Sequence, residues 1–203
     1  MEPIYNQLAQ HLDDLPGGYP ATESGIELRI LKRLFTPEVA EIAVHLTLMP
    51  ESAAAIAQRI GADETSLAPT LIAMSHKGLI IRLERKGELK FMAAQFMVGI
   101  WEYHVNDLDE GLIKDVNEYL PYLTEAQEQV RTQQLRVIPI SKSLAADIKV
   151  MPYEQAEEII KQQSKIVVAP CICRREHQMV GEGCDKPCLL YTSPSPRDLI
   201  AHL

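Results

Sequence analysis

A chain of 203 residues with 46% hydrophobic and 24% charged residues carries enough apolar material for a core, which excludes wholesale disorder. Its formal net charge of -8 excludes a protein that coats nucleic acid or anionic membrane through nonspecific positive charge, and leaves small molecules or protein partners. No apolar run approaches the roughly 20 residues of a membrane-spanning helix, and the start, MEPIYNQLAQHLDDL, has neither a basic leader nor an apolar signal core, so a cytoplasmic location is expected.

Residues 1–23 read as an N-terminal arm: a short amphipathic segment, Ile4 to Leu12, followed by LPGGYPATESG, whose prolines and glycines oppose regular structure and which is expected to be a connector packed on the next domain rather than a wrap around a ligand or partner. From Ser24 the spacing of Ile26, Leu28, Ile30, Leu31, Leu34 and Phe35 predicts a helix. Thr36-Pro37-Glu38 restarts a second helix, with threonine as cap and proline at its first position, turning Val39, Ile42, Ala43 and Leu46 inward until Pro50 ends it. ESAAAIAQRIG predicts a third helix stopped by Gly61. A fourth is expected from a Ser66 cap, with Pro69 in its first turn, Leu71, Ile72 and Met74 buried, and Gly78 as its stop. The period then changes to that of strands, Leu79 to Leu83 and Leu89 to Ala93, around a charged turn containing Gly87. Helices followed by a hairpin in this order predict a winged-helix-like domain over 24–97.

Residues 98–165 read as a helical connecting region. Its first part holds the single tryptophan, Trp101, with Val98, Val105, Leu108, Leu112, Ile113, Val116 and Leu120 as packing positions that cover the hairpin or build a dimer face. EAQEQVRTQQLR suggests a polar surface helix or link, RVIPI an extended piece, PYEQAEEIIKQQ another helix, and KIVVAP a buried strand. The expected class is therefore α+β, mainly helical, with the short strand leading into a cysteine motif over 166–187. P-loop, glycine-rich dinucleotide, GxSxG and HExxH patterns are absent, and no acid–base pair or nucleophile constellation emerges.

All four cysteines fall between Cys171 and Cys188, an odd disulfide framework for a chain of this length but a natural metal or redox cluster. In APCICRREHQMVGEGCDKPC an extended or turned backbone would let the thiolates of Cys171 and Cys173 reach one centre, with Cys184 returning after a glycine-flanked loop. Iron–sulfur clusters and structural zinc both require soft, deprotonated sulfur, and Arg174 and Arg175 would lower the thiolate pKa. A redox dithiol or a buried structural pair are the other readings of the CxC. His177 is a further candidate ligand, although a histidine amid RREHQ on a polar loop is more often solvated.

The phrases LPGGYPATESG, VGIWE, APCICR and GCDKP, with VMPYEQAEEII between them, resemble a bacterial and archaeal family of ferredoxin-like 4Fe-4S dicluster proteins found notably in anaerobes, over Tyr5 to Pro187. That resemblance implies electron transfer through [4Fe-4S] clusters and carries over only Cys171, Cys173 and Cys184 as functional cysteines and metal ligands. In the family the chain continues through another ligand-type cysteine, a cysteine-rich run and two ferredoxin repeats, so this chain is expected to be cut short before them. Residues 188–198, CLLYTSPSPRD, are similar to translated sequencing-adapter sequence, which makes 188–203 a non-native tail and removes Cys188 from the ligand set.

The expected function is an electron-transfer protein, not itself clearly an enzyme, with the winged-helix-like part as a docking or dimerisation module, a redox protein partner of undefined identity, and a homodimer as one possible state. The first alternative is a winged-helix transcription regulator with a cysteine sensor. Against it, Ser66 to Lys77 holds one lysine, one histidine and no arginine or asparagine, leaving Arg82, Arg85, Lys86 and Lys90 of the hairpin as DNA contacts. The second alternative is a zinc-stabilised interaction module on the same cysteines.

Overall fold

The computed structural model of the chain describes residues 3–129, 157–158, 161–164 and 170–183. The described residues are mainly helical with one two-stranded antiparallel sheet, in keeping with the α+β expectation. The segments expected to be extended, RVIPI and all of KIVVAP but Pro170, lie outside them, as do Cys184 and Cys188.

Helix α1 (Pro3–Asp13) buries Tyr5, Leu8, Ala9 and Leu12, the i, i+3, i+4, i+7 positions of one helical face. The Tyr5 hydroxyl donates to the Phe35 carbonyl at 2.8 Å. The proline–glycine stretch that follows is packed on the body, as expected of a connector, and contributes to the core. Tyr19 is 1% exposed, its ring lies 5.0 Å from Phe96 and 4.9 Å from Tyr119 between centroids, and its hydroxyl donates to the Glu27 carbonyl at 2.9 Å. Its backbone N–H donates to Asp13 Oδ1 at 2.8 Å. Gly17 permits this approach, because a Cβ there would stand 2.8 Å from Gln95 Oε1.

Helix α2 (Ile26–Leu34) buries Ile26, Ile30 and Leu31, and also Glu27, whose carboxylate accepts from the N–H and the hydroxyl of Thr22 at 3.2 and 2.5 Å. Helix α3 (Pro37–Ala43) starts at Pro37 as the sequence predicts, but ends long before Pro50 and buries Ala40 and Ala43 fully, with Val39 and Ile42 only half-buried. Helix α4 (Ala53–Ile60) is capped by Ser52, which accepts from the Ala55 N–H at 3.3 Å, and is closed by Gly61 in the left-handed conformation. The cap of α5 (Glu64–His76) is Asp63 rather than Ser66: its carboxylate accepts from the Ser66 N–H at 3.1 Å, and the Ser66 hydroxyl donates back to the Asp63 carbonyl. A carboxylate at the helix start also complements the helix dipole. Pro69 consequently sits in the second turn, inside the helix.

Gly78, at φ +74°, turns the chain into β1 (Ile80–Arg85), which pairs antiparallel with β2 (Glu88–Ala93), Ile80 opposite Ala93 and Arg85 opposite Glu88. Lys86 and Gly87 both adopt positive φ, the geometry that a two-residue hairpin turn demands. The far side of β2 is tied to the body: Phe91 and Glu51 exchange backbone hydrogen bonds at 2.8 and 2.9 Å, and the Ala93 N–H donates to the Thr47 carbonyl at 2.8 Å. The far side of β1 carries no strand among the described residues.

An irregular turn over Phe96–Ile100 leads into the single turn α6 (Trp101–Tyr103) and then α7 (Glu110–Gln129). Val98, expected to pack, is 76% exposed, because Met97, Val98 and Gly99 leave helical backbone angles and the amphipathic register is broken there. Trp101, Leu112, Ile113, Val116 and Tyr119 are buried. Helix α7 lies along α2, with Arg29 pairing Asp115 at 3.0 Å and Arg33 pairing Asp109 at 2.6 Å. One continuous cluster thus runs from Tyr5 through the sheet base to Leu123, joining segments expected as arm, domain and connector. The last described element is α8 (Ile172–Met179). No helix among the described residues is long and apolar enough to cross a membrane.

Candidate functional site

Cys171 and Cys173 lie at the start of α8, not on the extended or turned backbone expected for them. Cys171 occupies the capping position with extended angles, φ -82° and ψ 126°, and Cys173 falls within the first turn. Cys171 is half-buried and Cys173 exposed, both as free thiols. The first N–H to find an acceptor within the helix is that of Arg175, on the Cys171 carbonyl at 3.1 Å, and Cys171 offers no side-chain cap. The first-turn N–H groups of Ile172, Cys173 and Arg174 therefore have no partner within the helix, at the end where the helix dipole is positive.

The two thiols interact. The Cys173 thiol is pushed above its ordinary pKa, first by partial removal from water, then by the proximity of Cys171, Glu176 and Glu102 and by a hydrogen bond with Cys171. This reverses the expectation that Arg174 and Arg175 lower it. The Arg175 guanidinium bonds Asn106 Oδ1 at 3.0 Å, while the carboxyl groups of Glu176, which is buried, and Glu102 add to the rise.

Three anchors hold α8 to the rest of the molecule. Ile172 joins the core cluster, Arg175 reaches Asn106, and Glu176, 7% exposed, bonds the Asn117 side chain. Burial is the main cause that raises the Glu176 pKa. Neither Glu102 nor Glu176 stands out in the sequence. The legible signal was spacing, since Glu176 follows Cys173 by three residues and Ile172 by four, which is one face once the segment is helical.

His177 is on that helix rather than on a loop, and its Nδ1 stands 3.5 Å from Glu182 Oε2. Cys184 lies outside the described residues, and among the described residues no three histidine, cysteine or acidic side chains converge as a metal-holding group. Of the three expected cysteines, two are therefore seen together. Their chemistry fits a soft metal or an iron–sulfur cluster in part: two adjacent sulfurs, one of them solvent-accessible, beside N–H groups able to donate to bridging sulfide. A groove of about 780 Å³ lies elsewhere, between α1 and α3 over Ile4, Ile42 and Ile60, and contains no cysteine.

Comparison of the chain with protein-family models, with characterised proteins and with solved structures finds no match in any of the three.

Proposed function

We propose that this chain is part of a ferredoxin-like iron–sulfur protein that transfers electrons, with Cys171 and Cys173 as two ligands of a [4Fe-4S] cluster and Cys184 as a third. The observation that carries the reading is the meeting of the two thiols at a helix start whose N–H groups lack helical partners. When bound, the cluster would supply one-electron chemistry at the protein surface. The chain's own contribution is to present the two sulfurs, offer first-turn N–H donors to them, and fix the helix through Ile172 and Glu176. Because the Cys173 thiol is held protonated by its surroundings, binding any soft metal expels a proton, and affinity rises with pH through and beyond neutrality.

Helices α3, α4 and α5 with the β1–β2 hairpin fit a winged-helix module that serves docking or dimerisation. The solvent face of α5 supports that use over DNA reading: Glu64, Thr65, Ser66, Pro69, Ala73 and His76 offer no arginine or lysine for phosphates or base edges. A reducing, cytoplasmic setting suits free thiols of this kind. The zinc-stabilised module would use the same sulfurs and is separated by colour.

Anaerobic reconstitution of the full chain with iron and sulfide tests the reading. Broad visible absorption, lost in a Cys171→Ser, Cys173→Ser double variant, supports a cluster at this motif. A colourless protein that takes up zinc instead moves the assignment to the interaction module, and absorption that survives the double substitution removes these cysteines from the site.

A further inference from the structure

We infer that two copies of this chain join edge to edge through β1, making one four-stranded antiparallel sheet with its two-fold axis at Leu83. This rests on the dimerisation role proposed for the helix–hairpin module but not on the cysteines, so iron binding and association are scored separately.

The hairpin has two unlike edges. That of β2 is closed at its base by the backbone exchanges with Glu51 and Thr47. That of β1 pairs with nothing among the described residues beyond β2 itself, and every residue from Arg82 to Arg85 is exposed. An unpaired strand edge is a template for another strand, and proteins that avoid such pairing place charges or prolines to repel it. Here the charges do the opposite.

In a continuous antiparallel sheet, residues directly opposite share a face, so the self-pairing of β1 must join positions of equal parity. Three such registers keep the strands substantially overlapped. Centred on Arg82, the pairing sets two guanidinium groups against each other, and centred on Glu84 it opposes two carboxylates. Centred on Leu83, it sets Arg82 of each copy opposite Glu84 of the other and Leu83 opposite Leu83. Like charges directly opposite destabilise a strand pair and opposite charges stabilise it, so only the Leu83 register is favourable.

The second face agrees. Ile81 and Leu83 share it with Met92 and Lys90, their partners across the hairpin, and Leu83 is 42% exposed although it is a large apolar residue in a strand. Pairing at Leu83 covers that side chain with its own copy. At the strand's base, a groove of about 300 Å³ lined by Ile81, Arg82, His76 and the half-exposed Tyr103 stands beside the same edge. In this register Arg85 of the second copy lies opposite Ile81, next to that groove, where the Tyr103 ring can receive a guanidinium.

The test is sedimentation of the full chain over a concentration series. The wild type should show a reversible monomer–dimer equilibrium that weakens as salt is raised. Arg82→Glu or Glu84→Arg alone should each weaken it about tenfold or more, because each turns both attractive pairs into repulsive ones. The double variant Arg82→Glu, Glu84→Arg should regain association, and an equimolar mixture of the two single variants should form a mixed dimer that neither forms alone. Both positions are exposed, so the variants should keep the wild-type melting behaviour of the dilute monomer. A chain that stays monomeric throughout, or a dimer indifferent to both single reversals, overturns the inference.

Discussion

The loop around Tyr19 and the helix that carries Cys171 and Cys173 are held in opposite ways. Tyr19 is enclosed by two aromatic rings, donates a buried hydroxyl to the Glu27 carbonyl and ties its backbone to Asp13, while Gly17 beneath it takes a hydrogen bond from Gln127 at 2.9 Å. Helix α8 reaches the body through one apolar side chain, Ile172, and two polar ones. A segment rich in proline and glycine is thus held by many contacts, and the helix that carries the two thiols by few. Stability follows buried contacts rather than regular structure, and elements that must admit ligands or partners belong to the low-stability end.

The contrast can be broken most forcefully at Tyr19. Tyr19→Ala removes a fully buried ring and a satisfied hydroxyl and should lower unfolding free energy by about 3–5 kcal/mol in urea titration, with the whole body losing structure together. Gly78 comes next. Gly78 and Gly61 both have positive φ, but a Cβ at Gly78 would stand 2.5 Å from Tyr103 Cβ, whereas Gly61 opens onto free space. Gly78→Ala should therefore cost about 2 kcal/mol or more and Gly61→Ala about 1, measured by the same titration. Equal costs would show that the Tyr103 contact yields easily.

Ile172→Ala should act locally. Amide exchange in α8 should quicken many-fold while the melting temperature of the body changes little. A global loss as large as that of Tyr19→Ala would erase the distinction between the two regions.

The smallest expected effect is at His11. Its Nε2 is buried without a hydrogen-bond partner, in a small pocket lined by Leu8, Leu12, Phe35, Leu46 and Ile80. Burial, the largest cause, lowers its pKa against the opposing pull of Asp14 and the Leu46 carbonyl, with His45 adding to the lowering. The unfolded chain then binds the proton more readily than the folded one. Stability is full above the unfolded value of about 6.5 and falls as pH drops from there through the lower folded value. His11→Leu should flatten that part of the stability profile, and an unchanged slope would assign it to other groups.

Much of the body was legible in sequence because its signals are local. Proline at the start of α3, Gly61 after α4 and the Lys86-Gly87 turn each act within a few residues, and the structure bears out all three. The errors have physical causes as well. Asp63 outcompeted Ser66 as the cap of α5 because a charged acceptor at the helix start gains from the dipole as well as the hydrogen bond. The packing of the Tyr19 loop on the body is expected from sequence, but its partners are not, because Phe96 and Tyr119 come from residues far along the chain. At the cysteines the spacing suggests an extended or turned backbone, and the burial of Ile172 and Glu176 on one face is what favours the helix instead. The expected lowering of the Cys173 pKa by Arg174 and Arg175 fails for a related reason: Arg175 bonds Asn106 once the helix forms, and burial with Cys171, Glu176 and Glu102 raises the thiol instead.

The account depends above all on Cys171 and Cys173 ligating iron. The most direct measurement is low-temperature electron paramagnetic resonance of the anaerobically reconstituted, reduced full chain beside the Cys171→Ser, Cys173→Ser variant. The account predicts an iron–sulfur signal in the wild type and its loss in the variant. The same signal in both, or none in a wild type that has taken up zinc, would contradict it.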